Sequence, residues 1–136
     1  MAIEGPYGAF TPDARRGDRV ALIGAGVGIT PLRAIADDMP LHVDVVMLAR
    51  AHHPDDLILR DELRLLLRQR GGRLHELIGP RSRVTLDQHA LSRLIPDIAR
   101  RDVYICGPTG FTASVGKAVR ALGVPMDRIH HETFAS

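Results

Sequence analysis

Two glycine-rich segments are where this sequence could do chemistry. The first is Gly24-Ala25-Gly26-Val27-Gly28-Ile29-Thr30-Pro31, and the second is Cys106-Gly107-Pro108-Thr109-Gly110-Phe111. Each follows a short apolar run, residues 19–23 and 103–106, and each opens a stretch with helical spacing. Glycine lets a backbone approach phosphate oxygens closely. A helix N-terminus offers unpaired N–H groups at the positive end of its dipole. A diphosphate is the guest that two such turns on one crevice would take. The first segment departs from a full G-x-G-x-x-G, because Ile29 stands at the third glycine, and it lacks a P-loop lysine. Taken singly, either segment is equally a tight turn that binds nothing.

Other residue types add to these turns. Cys106 is small and polarizable and could touch a flat ring without blocking it; the alternative is a buried structural cysteine. Where a second apolar run ends, a nucleotide-binding sheet usually carries an acid for the ribose 2′-OH, but here the residue is Arg50. Its fork geometry suits a 2′-phosphate, and Arg81 and Ser82 could join it. Asp44 falls at the other end of that run. The alternative is that Arg50, Arg81 and Arg83 are solvated surface charges. The pairs His52-His53 and His130-His131 read as turn and surface histidines. Neighbours on a strand point to opposite faces, and no cysteine or carboxylate stands at ligand spacing, so no metal site is expected. Ser114 has no G-x-S-x-G elbow around it.

The elements that must position these residues follow from the apolar pattern. Strands are expected over residues 19–23, 43–49, 74–78, 103–106 and 128–131. Thr30-Pro31 reads as the N-cap and first position of a helix. A second helix is expected from Pro54-Asp55-Asp56 to about residue 70, with Leu59, Leu63, Leu66 and Leu67 as its apolar stripe and Gly71-Gly72 as its stop. A third spans residues 87–95, and a fourth residues 108–122 with Phe111, Val115, Val119 and Leu122 on one face. The order βαβαβαβαβ calls for parallel pairing through right-handed crossovers. We therefore expect an α/β fold, a three-layer α/β/α sandwich with a five-stranded parallel sheet of Rossmann-like type. In the usual strand order its crevice lies between the first and fourth strands, where both glycine segments leave.

Composition excludes several classes. A length of 136 residues fits one domain, and 45% hydrophobic residues are enough for a core, so disorder is not expected. A net charge of +2 gives no argument for nucleic acid. No stretch is long and apolar enough to span a membrane, and no secretory leader is legible. The lone Cys106 makes no internal disulfide, which suits a reducing cytoplasm.

Taken together the motifs resemble the NAD(P)-binding domain of the ferredoxin–NADP reductase superfamily, with the ferric reductase and NADPH oxidase branch as the nearest likeness. The residues that carry this are Gly5-Pro6-Tyr7-Gly8-Ala9-Phe10, the Gly24 to Pro31 turn, Tyr104-Ile105-Cys106-Gly107-Pro108 with Gly110-Phe111, and Glu132-Thr133-Phe134 near the end. The resemblance implies that Gly24, Gly26, Val27, Gly28, Thr30 and Pro31 form the pyrophosphate loop. It implies that Gly107, Pro108, Gly110 and Phe111 border the nucleotide and that Cys106 lies beside nicotinamide C4. Phe134 would shield the flavin ring until nicotinamide displaces it, and Glu132 would order the nicotinamide or relay protons.

The implied cofactors are NADPH, with NADH as the alternative, and FAD in the complete protein. Residues 1–13 would be the lead-in from an N-terminal flavin-binding domain, whose Arg–aromatic–Ser/Thr motif is absent here, and residues 14–136 the NAD(P)-binding domain. The implied activity is hydride transfer from NADPH to that flavin, then electrons to haem, iron or an iron–sulfur protein. A haem-bearing membrane domain is one implied partner, which would put the protein in the cytoplasm or at the cytoplasmic face of a membrane. The competing expectation is a non-catalytic dinucleotide-binding module, a sensor or interaction domain.

Overall fold

Apolar strands separated by amphipathic helices can bury their side chains only by stacking helices on both faces of one sheet. The computed structural model, which describes residues 10–80 and 83–134, has that arrangement. Five strands alternate with four helices: β1 (Arg19–Ala25), α1 (Ile29–Asp38), β2 (Asp44–Ala51), α2 (Arg60–Gln69), β3 (Arg73–Ile78), α3 (Gln88–Leu94), β4 (Asp102–Pro108), α4 (Thr109–Ala121) and β5 (Ile129–Phe134). The sheet order is β3-β2-β1-β4-β5 and every pairing is parallel. β1 and β4 are central and read as continuous apolar runs because both faces are covered.

Alternation along the strands sorts the core in two. Val20, Leu22, Met47, Tyr104 and Cys106 face a layer with Leu32 and Ile35 of α1 and Leu63 and Leu67 of α2. Ala21, Ile23, Leu48, Val103 and Ile105 face Leu91 of α3 and Phe111, Val115 and Val119 of α4. At the N-terminal sheet end, Arg101 is 1% exposed. It donates to the Val20 and Asp44 carbonyls and to the Asp44 and Asp97 carboxylates, stitching the ends of β1, β2 and β4. That ion pairing holds the Asp97 carboxyl below its usual range, although burial works against it. Arg70 similarly donates to four carbonyls, those of Ala36, Met39, Pro40 and Val43, where α1 ends.

Several expectations need correction. Thr30 is not a helix cap: α1 begins at Ile29 with Gly28 as its N-cap, and Ile29 is buried in the core, which pulls the start forward. Pro54–Asp56 is a separate single turn, and α2 starts at Arg60 after Leu59 adopts φ 61°. Leu59 therefore leads into the stripe rather than joining it. Gly107 and Pro108 belong to β4 rather than to a loop, because β5 continues to pair with them. The lead-in is packed from Phe10 onward. Phe10 meets Tyr104 edge-on, the Tyr104 hydroxyl donates to the Thr11 carbonyl at 2.7 Å, and Asp102 accepts from the Arg16 and Gly17 amides.

His130 is not a surface histidine. Its ring lies 4.6 Å from the Tyr104 ring and its Nε2 is 3.4 Å from Asp102 Oδ1. Burial lowers its pKa below the ordinary imidazole value, more than Asp102 raises it. Residues 5–9 of the motif Gly5 to Phe10 lie outside the described residues.

Candidate functional site

The C-terminal strand ends form one sheet edge, and both glycine segments meet on it because β1 and β4 are neighbours where strand order reverses. Gly24 stands opposite Cys106 in the ladder. The next turn closes to contact: a Cβ on Gly28 would lie 2.3 Å from the Cys106 carbonyl oxygen and 2.6 Å from its carbon. Gly28 has φ −65°, an ordinary helical value, so space and not conformation demands glycine there. Gly26 is the converse, with φ +59° and nothing within 4 Å. Gly26, Val27 and Thr30 are exposed on this edge, and Pro31 follows in the first turn of α1. Neither α1 nor α4 has a side-chain cap. In α1 the Ile29 amide already donates to the Gly26 and Val27 carbonyls and Pro31 has no N–H, so α4 is the helix whose first-turn amides face a ligand.

Arg50 projects from the end of β2 toward the α4 face. Its Nε donates to the Val84 carbonyl at 3.2 Å. Two cavities share Arg50 and Phe111. One, of about 280 Å³, is bounded also by Gly26, His52, Asp56 and Pro108. The other, of about 270 Å³, is bounded by Val84, Thr85, Gly110 and Ser114. The sequence reading missed Val84, Thr85 and Asp56. Their signal was positional: each lies in a connection leaving the C-terminal end of a strand. Arg81 and Ser82, expected beside Arg50, lie outside the described residues.

On the other sheet face the parallel register of β4 and β5 sets Cys106 opposite Glu132 and Pro108 opposite Phe134. Cys106 is fully buried, and Phe134 packs against the apolar cluster that contains it. Burial, and secondarily the Glu132 charge, push the Cys106 thiol up to about 12, so it is a neutral thiol at physiological pH. Cys106, Glu132 and Phe134, expected to act together, thus share one face at the end of the sheet. A ligand reaches Cys106 only after a covering group moves.

An edge formed by two glycine turns with Arg50 beside them has the shape and charge for a nicotinamide dinucleotide, whose two halves would straddle the sheet end. Among the described residues no cluster of three potential metal ligands occurs, and no helix is long and apolar enough to cross a membrane.

Comparison with known proteins identifies the family to which this fold belongs. The profile of the oxidoreductase NAD-binding domain matches residues 22–117. The glycine betaine monooxygenase reductase subunit of Chromohalobacter salexigens is 30% identical over 100% of this chain and 40% of its own length. The stachydrine N-demethylase reductase subunit of Rhizobium meliloti is 33% identical over 97% of this chain and 41% of its own. The chain thus spans about two fifths of those relatives. Among solved structures, the flavohem-like FAD/NAD-binding domain of the Vibrio cholerae nitric oxide dioxygenase superposes with a TM-score of 0.73 at 32% identity, covering 90% of this chain and 53% of that one. These matches bear out the superfamily and give no specific support to its ferric reductase and NADPH oxidase branch.

Proposed function

Because the chain belongs to the oxidoreductase NAD-binding domain family of the ferredoxin–NADP reductase superfamily, we propose that it binds NADPH across this sheet edge and presents the nicotinamide to FAD held by a separate domain. The electrons then pass to haem, iron or an iron–sulfur acceptor. One observation carries the reading: the glycine turns touch at Gly28 and Cys106, with Arg50 on one face of the sheet and Cys106, Glu132 and Phe134 on the other.

When bound, NADPH supplies a hydride, and the flavin accepts it and releases electrons singly. The residues of this chain orient and protect. Gly26 lets the diphosphate approach the backbone, Gly28 keeps the two turns in contact, and Thr30 with the first-turn amides of α4 supplies donors. Arg50 pairs the 2′-phosphate. Pro108, Gly110 and Phe111 wall the nucleotide. Cys106 lies against the nicotinamide ring as an uncharged thiol, so it adds contact without a competing nucleophile. Glu132 orders the carboxamide or relays protons, and Phe134 covers the ring site until the dinucleotide enters.

Calorimetric titration of the chain with NADPH, NADH and 2′-phospho-AMP tests the reading. A preference for NADPH that Arg50→Ala abolishes is the expected result. Equal binding of NADPH and NADH would remove the role of Arg50, and silence toward 2′-phospho-AMP would overturn the site.

A further inference from the structure

β5 is an edge strand with no fully buried residue. Behind it, on the α4 side, lies a cavity of about 500 Å³ lined by Thr112, Gly116, Lys117, Met126, Ile129 and His131. The strand therefore lacks close packing on that side over much of its length. Its N-terminal half is pinned from the opposite face, where His130 lies on Tyr104 and beside Asp102. Its C-terminal end is tied to α4 by a pair of hydroxyls, Thr112 Oγ1 and Thr133 Oγ1, 2.9 Å apart.

The direction of that bond follows from proton counting. Thr112 Oγ1 is also 3.1 Å from the Thr109 carbonyl oxygen, which can only accept. A hydroxyl has one proton, so Thr112 donates to Thr109 and accepts from Thr133. Thr112 is buried and fixed within α4. Thr133 and Phe134 are adjacent on a strand, so their side chains leave opposite faces. Phe134 is on the Cys106 face, so the Thr133–Thr112 bond on the opposite face anchors the strand end that carries Phe134.

We propose that Thr112 and Thr133 are positioning residues that hold the Phe134 end of β5 shut against the Cys106 face, and so set how readily a nicotinamide ring is admitted there. The admission clause rests on the dinucleotide reading; the closure clause does not. The two are separable because the chain holds a single cysteine. Under native conditions, Cys106 reacts with a thiol reagent such as DTNB only from molecules in which it is uncovered, so the rate reads the open population.

Thr133→Val keeps the shape and removes the donor, and is expected to raise the labelling rate about threefold to tenfold. Thr133→Ser keeps the donor and is expected to label at the original rate. Adding Thr133→Val to Thr112→Val is expected to change nothing further, since the bond is already gone. An unchanged rate in Thr133→Val, or additive effects in the double variant, overturns the closure. A rate increase that appears only through global unfolding, seen as full urea dependence in every variant, overturns it too. For admission, Thr133→Val is expected to tighten NADPH by the same factor and to leave 2′-phospho-ADP-ribose, which lacks the ring, unchanged. Faster labelling with equal shifts for both ligands overturns admission. Binding of neither ligand overturns the dinucleotide reading itself, while the labelling rates still decide the closure.

Discussion

Gly28→Ala isolates one physical effect, because Gly28 already has helical backbone angles that alanine adopts without cost. The added methyl would sit 2.3 Å from the Cys106 carbonyl oxygen, 2.6 Å from the Cys106 carbonyl carbon and 3.0 Å from the Gly107 nitrogen. All three atoms are backbone of a central strand, so no side chain can swing aside. Reaching van der Waals distance means separating α1 from β4 by roughly 1 Å. Overpacking of this kind costs about 1–3 kcal/mol, and a backbone clash on both sides belongs at the upper end. For a domain of this size that lowers Tm by roughly 10 °C. The same separation parts the two glycine turns and is expected to weaken dinucleotide binding at least tenfold.

The internal comparison is Gly26→Ala, which meets no atom within 4 Å but must hold φ +59°, a strain of about 1 kcal/mol. Gly116→Ala supplies the opposite sign. Nothing crowds that position inside α4, so losing a helical glycine should stabilise by about 0.5–1 kcal/mol. Differential scanning calorimetry on the three variants tests the reasoning. A Tm loss for Gly28→Ala no larger than for Gly26→Ala would refute the close-approach argument.

Other outcomes follow from the buried polar groups. Arg101→Ala removes a buried side chain and its hydrogen bonds to the Val20 and Asp44 carbonyls. The Asp44 and Asp97 carboxylates it leaves are partly exposed and Asp97 keeps Arg19, so the cost in urea unfolding should be about 1–3 kcal/mol; a loss under about 0.5 kcal/mol would show the clamp to be dispensable. His130 is held neutral below its ordinary pKa, so the unfolded chain binds its proton first. Its contribution is complete above about pH 6.5 and is lost as pH falls through the lower folded value. His130→Gln should flatten that part of the stability–pH curve, and an unaltered curve would exclude His130 as its source. The Cys106 thiol runs the other way. Its pKa is raised to about 12, so stability drains as pH climbs from the ordinary thiol range toward that value. Cys106→Ala should remove its share of the drop, leaving the part above about pH 10 to Tyr104, whose hydroxyl burial also pushes up. An unchanged alkaline limb in urea unfolding would exclude Cys106 as a source.

The path from sequence to site was partly local and partly not. Apolar runs punctuated by glycine and proline determined five strands, four helices and their alternation. Alternation of that kind leaves a parallel sheet with helices on both faces as its compact solution. The glycine turns could therefore be assigned to one edge in advance, and Arg50 to the end of β2 beside them. Local pattern could not place element boundaries that tertiary contacts set. Thr30-Pro31 carries the chemistry of a cap, yet burial of Ile29 draws α1 back onto Gly28.

The pairing of distant residues is what only the tertiary structure decided. Gly28 matters because β4 passes within contact of α1, a distance no sequence spacing records. Cys106, Glu132 and Phe134 share a face because β4 and β5 pair in one register; a slip of one residue would turn Glu132 and Phe134 to the α4 side and Thr133 to the cysteine side. His130 reads as a surface residue until that same register lays it on Tyr104 beside Asp102. Register is fixed by the summed fit of ladder hydrogen bonds and side chains across strands far apart in the chain. The sequence therefore determined which elements form, and their packing decided which residues meet.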